Sequence, residues 1–152
     1  MKSAVFLDID GVLNDQEQWG TPYSLNEKCI KAFCDFINGY RGQTEIILIS
    51  SWRNGFDTKT RTNSIPQLKN LDEKLAKYGV RVFDAVPSNP EKTRFQLIDY
   101  YLRRHAYDSY VIVDDDPGEY PEGLPERLCL INEKTGFTAA DGKKCLKILK
   151  TH

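Results

Sequence analysis

Three times along this chain, an unbroken run of apolar residues stops abruptly at side chains that can do chemistry. Ala4-Val5-Phe6-Leu7 ends in Asp8-Ile9-Asp10-Gly11-Val12-Leu13-Asn14. Ile46-Ile47-Leu48-Ile49 ends in Ser50-Ser51-Trp52-Arg53. Tyr110-Val111-Ile112-Val113 ends in Asp114-Asp115-Asp116-Pro117. Short apolar runs without polar alternation are the pattern of strands buried on both faces, which occur in parallel sheets covered by helices. A parallel strand delivers its functional groups at its carboxyl end, where the chain leaves the sheet. The three polar clusters are therefore expected to meet at one end of one sheet.

The segments between these runs carry helical patterns. Cys29, Ile30, Phe33, Phe36 and Ile37 recur at helical spacing in a helix starting at Leu25-Asn26-Glu27, with Ser24 and Glu27 as a capping box. Leu68, Leu71, Leu75 and Ala76 mark a second helix, ending near Tyr78-Gly79. Phe95, Leu97, Ile98, Tyr101 and Leu102 mark a third behind Thr93 as N-cap. Ala140, Cys145, Leu146 and Leu149 mark a closing helix behind Thr138. Residues 80–83 and 128–131 read as further short strands, and 52–65 as a loop or the start of a helix. Alternation of strand and helix predicts an α/β fold, a three-layer α/β/α sandwich with a Rossmann-like parallel sheet. A single domain is expected over residues 1–152. Each gap between motifs is used up by helices and loops, so no large cap domain is expected.

Two carboxylates as close as Asp8 and Asp10 repel and shift each other's pKa unless a cation sits between them. Alone, such a triplet is common and reads as an acidic turn. Three further acids after the third run, Asp114 to Asp116, make a cation-free reading costly. Mg²⁺ suits them, being hard, oxygen-seeking and usually held by one or two carboxylates plus substrate phosphate.

Composition narrows the partners. The net charge of −1 leaves no global basic field, although local basic patches remain open. At 152 residues and 40% hydrophobic, the chain can bury a real core. Its four cysteines show no CxxC spacing, which argues against zinc and for reduced thiols on apolar faces, as in the cytoplasm. Met1-Lys2-Ser3 runs straight into the first strand, leaving no room for a signal peptide. No apolar run approaches the roughly 18 residues of a membrane span. The expectation is a monomer without membrane contact.

Acid pair, hydroxyl, cation and acid pair, each at a strand or helix end and in this order, resembles the haloacid dehalogenase superfamily of phosphotransferases. The DxDGVLN form of the first motif is specific to it, and the cation is supplied by Lys92-Thr93-Arg94. The SSWR and DDD forms resemble the small branch that occurs as phosphatase domains of RNA-repair ("Swiss Army Knife") proteins. This resemblance implies a capless, Mg²⁺-dependent phosphatase with an open site suited to large substrates.

It also implies roles. Asp8 matches the nucleophile that forms an aspartyl-phosphate, and Asp10 the general acid–base. Asp10 would also offer Mg²⁺ its backbone carbonyl. Asp8, Asp114 and Asp115 complete the metal set, with Asp115 the first choice for direct ligation. The phosphate-binding hydroxyl is Ser50, with Ser51 as runner-up. The third-motif cation is Lys92 by residue type and loop position, or Arg94 by helix register. Trp52 and Arg53 could stack a base and pair with a backbone phosphate, or Trp52 could fill the sheet edge. The expected substrate is large and phosphorylated, a nucleic-acid end foremost. A small phosphoester or phosphoprotein is the alternative within the enzyme class, and a non-catalytic binding module the alternative outside it.

Overall fold

The computed structural model describes residues 2–14, 24–50, 56–57, 62–63, 66–87, 89–121 and 126–150. The first apolar run becomes β1 (Lys2–Leu7), which lies at the centre of a five-stranded, all-parallel sheet. The chain continues through α1 (Glu27–Gly39), β2 (Gln43–Leu48), β3 (Phe56–Asp57), β4 (Thr62–Asn63), α2 (Pro66–Ala76) and β5 (Asp84–Ala85). It closes with α3 (Arg94–Arg104), β6 (Ser109–Asp114), β7 (Leu128–Leu130) and α4 (Ala139–Leu149). The sheet order is β5-β2-β1-β6-β7. In register, Leu7 pairs with Leu48 on one side and Val113 on the other, so the three motif strands end level.

Alternate residues of each strand face opposite layers. Val5, Leu7, Ile46, Leu48, Val111 and Val113 pack against α1, α2 and α4. Ala4, Phe6, Ile47 and Ile112 pack against Leu97, Ile98 and Tyr101 of α3. Helices on both faces give the three-layer α/β/α arrangement. Phe6 is fully buried and meets the Tyr101 ring edge-on at 5.9 Å. Truncating such a side chain to alanine typically costs about 3–5 kcal/mol. All four cysteines are buried and unbridged.

Thr93 and Thr138 each cap their helix in a full capping box, with Gln96 and Asp141 as the returning side chains. The start of α1 differs from expectation. Asn26, not Ser24, is its N-cap, its side-chain oxygen accepting from Lys28 N at 2.8 Å and Cys29 N at 3.4 Å. The Ser24 carbonyl instead accepts from Asn14 Nδ2, which ties the helix entry to the first motif.

Two strand assignments also shift. The strand falls later than residues 80–83: Val80 and Val82 are buried, which produced the apolar alternation, but the first backbone bond to β2 is Phe83 N to Ile46 O at 2.9 Å and the paired residues are Asp84 and Ala85. Within 52–65, the described parts are neither loop nor helix. Phe56–Asp57 and Thr62–Asn63 form a small antiparallel ladder, with Phe56 opposite Asn63 and Asp57 opposite Thr62.

Candidate active site

The carboxyl ends of β1, β2 and β6 bring the three motifs together around an open pocket of about 540 Å³. Asp8, Asp10, Ser50, Arg94, Asp115 and Glu133 are among the residues that line it. Backbone bonds fix the strand ends: Asp8 N donates to Val113 O, and Ile49 N to Leu7 O, both at 3.0 Å.

Asp8, Asp114 and Asp115 each offer an oxygen within 4.8 Å of the others. Asp8 is 3% exposed and Asp114 is fully buried. Burial pushes the Asp8 carboxyl well above the usual carboxylate range; Asp114 and Asp115 push it further, against the opposing pull of Arg94. Burial likewise raises Asp115. Two carboxyls in contact must share a proton or a cation. This donor set, all hard oxygens and under-compensated in charge, fits Mg²⁺.

Arg94 separates itself from Lys92. Its Nη1 donates to Asp114 Oδ2 at 2.9 Å and lies 3.4 Å from Asp8 Oδ1. Burial disfavours the Arg94 charge, but Asp8 and Asp114 outweigh that and hold the guanidinium firmly protonated. Lys92 is exposed and lines a different pocket. Position at the first residue of α3, just after the Thr93 cap, therefore decides which cation reaches the acids.

Gly11 sits at φ +82°. A Cβ built there would lie 2.1 Å from Asp115 Oδ2. Glycine is required twice over, for the left-handed turn and for the close approach of Asp115.

Asp10 is exposed, and its carboxylate accepts from Asn14 Nδ2 at 3.0 Å. Asn14 Oδ1 in turn accepts from Gly11 N at 2.8 Å, so one side chain shapes the whole turn. Ser50 is 1% exposed at the end of β2. Ser51, Trp52 and Arg53 lie outside the described residues. Asp116 is exposed and its side chain accepts from Gly118 N, opening a single 3-10 turn at Pro117–Glu119.

That turn returns two residues that sequence reading missed. Tyr120 Oη donates to Asp114 Oδ2 at 2.6 Å, and Glu119 Oε2 accepts from Arg94 N at 3.0 Å. With Asp116 N donating to Asp114 Oδ1, both oxygens of Asp114 are engaged. Asp114 thus holds Arg94 in place, while Asp8 and Asp115 face the pocket. The only sequence signal was the Gly/Pro-rich turn itself, which brings the chain back within six residues.

A parallel α/β sheet with this acid cluster at its carboxyl end defines a haloacid dehalogenase-like domain. Residues 4–141 match the family described as the HAD domain in Swiss Army Knife RNA repair proteins, and the chain belongs to that family. No curated protein and no solved structure matches it. Among the described residues, no helix is long and apolar enough to cross a membrane.

Proposed function

We propose that the chain is a Mg²⁺-dependent phosphohydrolase that works through an aspartyl-phosphate on Asp8, on a phosphorylated nucleic-acid end. The observation that carries this reading is Arg94 held between Asp8 and Asp114 at the level strand ends.

An Asp8 carboxylate oxygen attacks phosphorus in line, forming an O–P bond as the bond to the leaving oxygen breaks. Asp10 gives that oxygen a proton. Asp10 then takes a proton from the water that attacks the aspartyl-phosphate, which releases phosphate and restores Asp8. Arg94 offsets charge beside Asp8, and the Ser50 hydroxyl donates to a phosphoryl oxygen. Mg²⁺, held by Asp8 and Asp115 with the Asp10 carbonyl and backed by Asp114, would neutralise the phosphoryl oxygens. The nucleic-acid assignment draws on the family's occurrence in RNA repair proteins and on the open pocket.

A panel of phosphorylated oligonucleotides, nucleotides, sugar phosphates, phosphopeptides and an aryl phosphate, assayed with Mg²⁺ and in EDTA, tests the reading. The expected result is activity lost in EDTA and a higher kcat/KM on oligonucleotides than on mononucleotides. Full activity in EDTA overturns the metal-dependent mechanism. Equal efficiency on mononucleotides and oligonucleotides leaves a small-phosphoester phosphatase.

A further inference from the structure

A second cavity runs along α3, the helix whose first residue, Arg94, lines the catalytic pocket. It is a groove of about 590 Å³ whose lining includes Asn89, Lys92, Phe95, Gln96, Tyr100 and Arg103. Phe95 and Gln96, then Asp99 and Tyr100, then Arg103 recur at three- and four-residue spacings, so they form one stripe along α3, with Lys92 just before its start. Lys92 and Phe95 stand on either side of Arg94 in the chain, and Arg94 itself lines the catalytic pocket.

Its chemistry is aromatic and cationic. Tyr100 is 46% exposed, one of two large apolar side chains so open among the described residues. The Arg104 guanidinium lies over its ring, 4.3 Å from the centroid. The Arg103 side chain is 77% exposed, with only a surface pairing to Asp99 at 3.0 Å. Such an exposed pair is weak and readily exchanged for a phosphate. Lys92, which the catalytic site does not use, stands at the groove's near end. Phe95 packs against the core at its base.

We propose that this groove is a subsite for single-stranded nucleic acid, which holds the nucleotides next to the phosphorylated end. It rests on the nucleic-acid reading above and adds the surface that would deliver it. Lys92 and Arg103 meet backbone phosphates, and Tyr100, already stacked on Arg104, takes a base on its ring. Tyr100 lies six residues along α3 from Arg94, an axial rise of roughly 9 Å at 1.5 Å per residue, and on another side of the helix. At about 3.4 Å per stacked nucleotide, the ring meets roughly the second or third nucleotide, not the terminal one. Charge complementarity selects this occupant over an apolar peptide: Lys92 and Arg103 outnumber Asp99 in the lining and offer an anionic strand two cations.

The test compares kcat/KM for phosphorylated oligonucleotides of one to six nucleotides, bearing the phosphate at either end, with kcat/KM for an aryl phosphate. Wild type, Tyr100→Ala, Tyr100→Phe and Arg103→Ala are measured at low and high salt. In wild type, the oligonucleotide-to-aryl ratio should climb between one and about three nucleotides. Tyr100→Ala should cut that ratio about tenfold for the longer substrates, as loss of one base stack does, while Tyr100→Phe should keep it. Arg103→Ala should flatten the salt dependence. If wild type favours oligonucleotides but Tyr100→Ala and Arg103→Ala leave the ratio and its salt slope untouched, the groove proposal fails while the nucleic-acid reading stands. If wild type shows no length advantage while hydrolysing the aryl phosphate, the nucleic-acid reading fails and takes the groove with it. Unchanged melting temperatures of the variants tie any loss to binding.

Discussion

The sheet carries two sets of buried carboxylates, and they are treated in opposite ways. Near β2 and β5, each acid has its own neutral donor. Asp84 Oδ2 accepts from Tyr101 Oη at 2.8 Å and Asp84 Oδ1 from Ala85 N at 2.9 Å. Glu45 Oε1 accepts from Tyr107 Oη at 2.7 Å, with Lys2 at 3.6 Å. At the strand ends, Asp8, Asp114 and Asp115 are crowded within 4.8 Å around a single guanidinium. The first arrangement satisfies lone pairs and stabilises the fold. The second leaves charge short of compensation among the described residues, to be met by a shared proton or a bound cation. Crowding of this kind is what supports the functional reading proposed above, since perturbed carboxylates concentrate at functional sites.

The sharpest way to break this contrast is to remove a carboxylate charge from the crowded set. Asp8→Asn should abolish turnover of an aryl phosphate, since an amide cannot form the aspartyl-phosphate. Retained turnover would remove Asp8 from the nucleophile's role. Arg94→Ala comes next, at a loss of about 3 kcal/mol in transition-state stabilisation, or over a hundredfold in kcat/KM. Lys92→Ala should cost far less on the same small substrate. Equal losses in the two would mean that Arg94 has no special place among the acids.

The contrast also explains what could be read from sequence. The three apolar runs and their polar ends were legible because a buried parallel strand must be apolar throughout, and its exit must carry the chemistry. The place of Asp8, Asp10 and the third-run acids at the strand ends followed directly, while the alternative to Ser50, Ser51, lies outside the described residues. The choice between Lys92 and Arg94 did not follow, because both lie within two residues of a cap and only position relative to that cap separates them. Glu119 and Tyr120 were invisible: they act by returning through a turn, and nothing in a Gly/Pro-rich stretch says which side chain comes back. Residues 80–83 misled because burial and ladder pairing are separate properties, and apolar alternation reports only burial.

A matched pair of tyrosines sharpens the comparison. Tyr101→Phe and Tyr120→Phe each remove one hydroxyl from one buried carboxylate. Without Tyr101, Asp84 Oδ2 loses its donor, which should cost about 1–3 kcal/mol of stability and leave kcat/KM intact. Thermal melting should fall by about 2–4 °C per kcal/mol in a chain of this size. Without Tyr120, Asp114 still keeps Arg94 and Asp116 N, so stability should change less. Activity should instead fall roughly tenfold, as when support behind a ligating site is lost. If both variants lose stability alone, Tyr120 belongs with the structural set.

The smallest expected effect is the cost of crowding itself, read from pH. Asp8 and Asp115 are raised in the folded protein relative to their ordinary values. The folded state therefore holds their protons more tightly than the unfolded chain does. The stability from that difference is fully present below the unfolded carboxylate range and is lost as pH rises through the raised folded values. In chelator, melting temperature should therefore sag as pH climbs from about 4 through those values. Asp8→Asn, whose amide does not titrate, should sag less and should melt above wild type near neutral pH. Added Mg²⁺ should close most of that gap by raising wild type, since a ligand that binds only the folded state stabilises it by mass action. A wild type that melts no lower than Asp8→Asn in chelator would show that the acids are as well compensated as Asp84 and Glu45.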